Sequence, residues 1–148
     1  MFCMSRKMWL LVGFENDEVA EFKHEHITVN FKNADIIGDA FKIPTWKTIY
    51  EKYGRESFDA IVTDGGLYNI ERVDVIICIK QGLLKPDGVI YNYTSIIGDK
   101  VEDPMGRGYT FYRIPKKHYT IQNHDYAWGK LTPKSWSDFL RKRVKLIV

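Results

Sequence analysis

The stretch "FDAIVTDGGLYNIERVDVIICIKQGLLKPDGVIYNY", Phe58 to Tyr93, limits the fold more than any other part of the chain. Phe58–Thr63 is apolar and β-rich, and Asp64-Gly65-Gly66 breaks it. Ile70, Val73, Ile76, Ile77 and Leu84 then recur at helical spacing until "KPDG" stops the run, and "VIYNYTSI" reads as a second strand. Strand, helix and strand in so short a span is a βαβ unit, whose crossover is right-handed and whose strands run parallel.

The same alternation extends upstream. "MWLLVGF" (Met8–Phe14) is a continuous apolar run, as expected of a strand covered on both faces. "ENDEVAEFKHEH" has room for a turn or two of helix before the β-branched strand "ITVNF" (Ile27–Phe31), and "ADIIGDAF" predicts a short third strand ending near Gly38-Asp39. "PTWKTIYEKYG" opens with Pro, carries Trp46, Ile49, Tyr50 and Tyr53 on one face, and stops at Gly54, which predicts an amphipathic helix. After Ile97 the texture changes. "GDKVEDPMGRG" reads as a loop, while "YTFYRIP", "HYTIQNHDYAWGKL" and "RKRVKLIV" read as strands, with "TPKSWSDFL" a Thr-capped helix between the last two. The expected fold class is therefore α/β, a doubly wound, mostly parallel sheet with antiparallel strands at the C-terminal end.

With 148 residues, one domain spanning 1–148 and one core suffice. Cys3 and Cys78 provide no disulfide framework, which fits a reducing compartment. The start "MFCMSRKMWLLVGFEND" meets Glu15, Asn16 and Asp17 too soon for a secretory signal, and no apolar run approaches a membrane span of ~18 residues. A cytoplasmic protein with no membrane partner is expected. The net charge of +3 is too small to imply nucleic acid on its own. Its basic residues cluster, however, with Arg141, Lys142, Arg143 and Lys145 in the tail and Arg113, Lys116 and Lys117 upstream.

In an open parallel sheet, ligands bind beyond the carboxyl ends of the strands. Those ends hold Gly13-Phe14-Glu15, Asn30 and Asn33, Asp39-Ala40-Phe41, Asp64-Gly65-Gly66 and Thr94-Ser95. Carboxylates there suit the hydroxyl and amino groups of a nucleoside, and Phe41 or Phe14 could cover a purine face. Asp39 and Asp64 could equally cap the turns or helices that follow them, and Gly65-Gly66 could answer to turn geometry alone.

"NADIIGDAFKIP", "FDAIVTDGGL" and "LLKPDGVIYNY", in that order, resemble the middle and later motifs of class I S-adenosylmethionine-dependent methyltransferases, which have a Rossmann-like fold. The resemblance covers about Met8 to Tyr93. It implies that Asp39 and Ala40 face the adenine of the cofactor, that Asp64 lies near its methyl end, and that "LKPDG" is structural. The cofactor set it suggests is Gly13, Phe14, Glu15, Asn30, Asp39, Ala40, Phe41, Asp64 and Gly65. Asp64, Tyr68 and Asn69 would stand where acceptor meets S-adenosylmethionine. The chain departs from the family in having the single Gly13 where a glycine-rich turn is usual, and Asn30 where the second strand normally ends in an acid. Only about a dozen residues separate the first two strands, so the first helix is expected to be short or absent.

A second reading is a non-catalytic scaffold of the same fold, binding nucleic acid or protein. Tyr109, Phe111, Tyr112, Tyr119, Tyr126 and Trp128 interleave with basic residues and could stack against a single strand. "FDAIVTDGG" also resembles the acceptor strand of a phosphorylated receiver module, with Glu15 and Asp17 as its acidic pair, but "LLKPDGVIYNY" leads away from that pattern. His24 and His26, with Cys3, His118 and His124, show no metal-ligand spacing.

Overall fold

Met8–Val12 forms strand β1 because five consecutive apolar residues can be buried only where both faces are covered, and Leu10, Leu11 and Val12 are buried. The structure, a computed structural model, describes residues 7–63, 79–93 and 98–116. A single 3-10 turn, Asn16–Val19, follows β1 and leads to β2 (Glu25–Asn30) and the two-residue β3 (Ile36–Ile37). Helix α1 (Ile43–Tyr53) then runs to β4 (Phe58–Thr63), with Pro in its first turn and Gly54 at its end donating N–H to Tyr50 O at 2.8 Å. Residues 79–83 are helical and pass directly into β5 (Leu84–Asn92). Strands β6 (Asp99–Glu102) and β7 (Thr110–Pro115) complete the described chain.

These strands make one sheet in the order β3-β2-β1-β4-β5-β7-β6. The first five are parallel, β7 is antiparallel to β5, and β6 is antiparallel to β7. The fold class is thus the mixed α/β sheet expected, mostly parallel with antiparallel strands at its C-terminal end. Among the described residues no helix is long and apolar enough to cross a membrane.

Alternation along the strands divides the core between the two faces of the sheet. Leu10, Ile61 and Ile90 pack with Ile43, Trp46 and Ile49 of α1 and with Ile79 and Leu83 of the helical segment. Leu11, Val62 and Phe111 point the other way and meet Phe14 and Val19. Right-handed crossovers require this asymmetry. The chain steps one way from β1 through β2 to β3 and the other way from β3 to β4 and β5, so the two sets of connections lie on opposite faces. Among the described residues, shortening of the first connection to a 3-10 turn leaves the Leu11 face with that one turn, while α1 and the helical segment 79–83 cover the other.

Three local expectations are corrected. Leu84 does not end a helix; it is the first residue of β5 and pairs with Phe58. "KPDG" does not precede the strand but interrupts it, since Leu84 pairs with Phe58 and Val89 already pairs with Ala60. Pro86 has no N–H to give a ladder, and a Cβ on Gly88 would come within 2.9 Å of Lys85 O and of Leu84 Cδ2, so this sequence suits a bulge. Within "GDKVEDPMGRG", Asp99–Glu102 forms β6. Its polar composition, read as loop, belongs to a charged edge strand in which only Val101 packs against the core. "YTFYRIP" yields β7 as expected, while "HYTIQNHDYAWGKL", "TPKSWSDFL", "RKRVKLIV" and Ile70 to Ile77 lie outside the described residues.

Candidate cofactor site at the carboxyl ends of the strands

Strand order reverses between β1 and β4, which lie side by side with Val12 opposite Thr63. A crevice beyond such a reversal is the characteristic ligand position in open α/β sheets. Gly13 turns the chain away from β1 with φ of 95°, a conformation open to glycine at little steric cost, and donates its N–H to Val29 O at 2.8 Å. Phe14 then enters the core, 1% exposed. Its burial against Leu11, Val19, Val62 and Phe111 gives it a packing role and leaves Phe41 as the member of the pair at the surface.

The loop after β1 is pinned to β2 and its following turn. Glu15 N–H donates to Glu18 Oε1 at 2.9 Å, and Glu18 N–H returns a bond to Glu15 O at 3.0 Å. Asn16 N–H donates to Asn33 O at 2.6 Å, and the Thr28 hydroxyl donates to Asn16 Oδ1 at 2.5 Å. Asp35, the acid nearest the end of β2, is tied to Thr28: its Oδ2 accepts from Thr28 N–H at 3.0 Å, and its own N–H donates to Thr28 Oγ1 at 2.9 Å. Asp35 therefore braces the β2–β3 connection, and Asn30 is the polar residue at the strand end itself.

Asn30 and the Asp39 turn are neighbours through the short β2–β3 ladder, in which Asn30 pairs with Ile37 and Gly38 N–H donates to Asn30 O at 2.9 Å. Asn30 Oδ1 accepts from Phe31 N–H at 2.7 Å. Asp39 accepts from Phe41 N–H through Oδ1 at 2.8 Å and from Lys42 N–H through its carbonyl at 3.0 Å, so the turn-capping role expected for it is present. Ala40 O accepts from Trp46 Nε1 at 2.8 Å, which fastens the turn to α1. A Cβ on Gly38 would stand 2.5 Å from Thr45 Oγ1, so close packing of turn and helix accounts for that glycine.

This arrangement brings Asn30, Asp39, Ala40 and Phe41 together at adjacent strand ends, with Gly13 and Glu15 one strand further in. Asp64, Gly65, Tyr68 and Asn69 lie outside the described residues. Thr63, the last residue of β4, is buried, donates its hydroxyl to Asn92 Oδ1 at 2.9 Å and accepts Tyr93 N–H at 3.1 Å through its carbonyl.

Sequence reasoning missed Phe31, which is 65% exposed just beyond Asn30. The pattern "ITVNF" makes Phe31 the last residue of a β-branched strand, sharing the parity of Ile27 and Val29, but β2 ends at Asn30. Also missed was Arg107. Its guanidinium pairs with the buried carboxylate of Asp103, Nε to Oδ2 at 2.9 Å, and lies over the rings of Phe14 at 4.8 Å and Tyr109 at 5.1 Å. Nothing in the sequence pairs a loop arginine with a phenylalanine more than 90 residues earlier, and only the sheet order does so. Phe111, proposed for stacking, is fully buried; Tyr119, Tyr126, Trp128 and the tail cations lie outside the described residues.

A cavity of about 890 Å³ lies elsewhere, on the Leu11 face of the sheet. Trp9 stands there stacked between His24, at 5.0 Å, and Tyr91, at 5.6 Å, with Phe22 edge-on. His26 lies within β2, its ring 5.4 Å from that of Phe22 and its Nδ1 2.8 Å from the carbonyl of His24, which just precedes the strand. Among the described residues no three His, Cys, Asp or Glu side chains come together as a metal site would need.

No family model matches the chain, and no curated protein matches it in sequence. Among solved structures, it is similar to the Burkholderia thailandensis 1,6-didemethyltoxoflavin-N1-methyltransferase, crystallised with 1,6-didemethyltoxoflavin and S-adenosylhomocysteine, at 15% identity and a TM-score of 0.37. That overlap takes in 93% of this chain, which spans 60% of the length of the Burkholderia enzyme. A Sulfolobus solfataricus protein named for the type 11 methyltransferases overlaps 72% of this chain and 82% of its own, at 14% identity and a TM-score of 0.37. The fold assignment rests on the strand order and register above: a doubly wound, mostly parallel sheet closed by an antiparallel hairpin.

Proposed function

We propose that the protein binds S-adenosylmethionine beyond the carboxyl ends of β1 to β4 and transfers its methyl group to an acceptor. The observation that carries this reading is the placement of Asn30, Asp39, Ala40 and Phe41 on contiguous strand ends beside the β1/β4 reversal, in the positions the motif resemblance assigns to the nucleoside. The residues present fit that half of the cofactor. Asp39 is held by Phe41 N–H so that its carboxylate stays at the crevice edge, where it accepts from the adenosine. Phe41 and Phe31 are the exposed rings available to cover a purine. Gly13, lacking a side chain, leaves room at the end of β1.

When bound, the cofactor supplies an electrophilic methyl carbon on a sulfonium. Such a transfer depends chiefly on alignment, so the protein's task is to hold both partners and exclude water. Asp64, Tyr68 and Asn69 are proposed for the methyl end on the strength of sequence.

Calorimetric titration with S-adenosylmethionine and S-adenosylhomocysteine tests the reading. Asp39→Ala should weaken binding roughly tenfold or more through loss of a charge-assisted hydrogen bond worth ~1.5–3 kcal/mol. Equal affinities for wild type and a folded Asp39→Ala protein would show the nucleoside assignment to be wrong.

A further inference from the structure

We propose that Tyr109 is a stacking platform for an uncharged planar ring, seated in the cavity that the β6–β7 connection forms at the carboxyl end of β5; on the methyl-transfer reading above, that ring belongs to the acceptor. Tyr109 is 51% exposed, yet its ring is fixed on more than one side. Arg107 lies over it at 5.1 Å, and Tyr93 meets it at 5.4 Å with the ring planes tilted by 55°. Both neighbours are themselves held. Asp103 grips Arg107 and also accepts from Met105 N–H at 2.8 Å, while Tyr93 packs on buried Phe111 at 5.7 Å and donates its N–H to Thr63 O. An exposed aromatic side chain so immobilised loses little further freedom on meeting a ligand, which favours binding.

Charge and shape then narrow the class of ligand. Arg107 is neutralised by a carboxylate whose side chain is 1% exposed, so the platform does not present an unmatched positive charge to a phosphate or carboxylate. Tyr109 forms one wall of a cavity of about 630 Å³, with Lys100, Glu102, Gly108 and Thr110 among the other walls. That volume suits a small molecule, and the mixed-sign rim suits a heterocycle with hydrogen-bonding edges. Contact of Arg107 with Phe14 connects this platform directly to the loop after β1, on the proposed cofactor side.

Quinoxaline, an uncharged fused heterocycle, is the probe, with cyclohexanol as the non-planar control, both titrated by NMR without S-adenosylmethionine. The wild type should shift quinoxaline protons upfield in a saturable manner and show intermolecular NOEs to the Tyr109 ring, while cyclohexanol does neither. Tyr109→Ala should weaken quinoxaline binding by at least about fivefold, and Tyr109→Phe should retain it. The wild-type NOEs decide the matter even if Tyr109→Ala fails to fold. Absence of saturable binding, NOEs to Trp9 or Tyr91 in place of Tyr109, or unchanged affinity in folded Tyr109→Ala would each overturn the proposal. Quinoxaline binding at Tyr109 in a protein that does not bind S-adenosylhomocysteine would leave the platform standing and remove only its role as acceptor site.

Discussion

Lys80 carries a charge into the core, and replacing it should make the protein more stable at neutral pH. It is 8% exposed in the helical segment 79–83, and its Nζ lies 5.1 Å from the centre of the Trp46 ring. Burial lowers its pKa from the ordinary 10.5 to about 8. At ~1.4 kcal/mol per tenfold change in proton affinity, holding the charged form in the fold costs about 3 kcal/mol relative to the unfolded chain. The Trp46 contact returns about 0.5–2 kcal/mol of this. Methionine fills a similar volume without charge, so Lys80→Met should gain about 1–2 kcal/mol at pH 7. The pH dependence follows from the lowered pKa. Below about pH 8 both folded and unfolded chains hold the proton and the penalty is complete; between about 8 and 10.5 the unfolded chain binds more protons, so wild-type stability rises with pH. Urea unfolding of both proteins at pH 7, 8, 9 and 10 isolates the effect, because all other titrating groups cancel in the difference. The advantage of Lys80→Met should shrink steadily above pH 8. A variant less stable at pH 7, or a difference independent of pH, would refute the reasoning.

Gly98→Ala should destabilise the fold by about 1–3 kcal/mol in the same assay, because φ there is 95° and a Cβ would lie 2.8 Å from Arg113 O and 2.7 Å from Ile114 Cγ1. Asp103→Ala should cost about 2–3 kcal/mol, since the lost carboxylate accepts from Arg107 Nε and from Met105 N–H; an effect under 0.5 kcal/mol would show that the β6–β7 connection holds its shape without it.

Backbone periodicity made the parallel half of the sheet legible. The apolar run Met8–Phe14, the β-branched Ile27–Phe31 and the Pro-to-Gly bounds of α1 each lie within two residues of the observed element. Legibility declined where a residue's role depends on a distant partner. Asp99–Glu102 looks like a loop because nothing local shows that Lys100 will pair with Tyr112. "LKPDG" carries turn chemistry and does turn, but as a bulge whose flanks are claimed by Phe58 and Ala60 on another strand. At the site, Asp39 and Ala40 could be singled out because strand ends are local features. Burial of Phe14 could not, since it depends on Phe111 and Val62 arriving from elsewhere in the chain.

The missing crossover helix also bears on how the chain assembles. Trp9 pairs with His26 on one side and with Ala60 on the other, so the contour to be closed is about three times longer for β1–β4 than for β1–β2. By loop entropy alone that ratio adds about 1 kcal/mol to the second closure. The β1–β2 ribbon is thus favoured as the earlier contact in folding, with its short connection lowering the entropic hurdle that a full crossover helix would raise. Joining of β1 to β4, which creates the crevice, is the long-range step to which folding rate should be most sensitive.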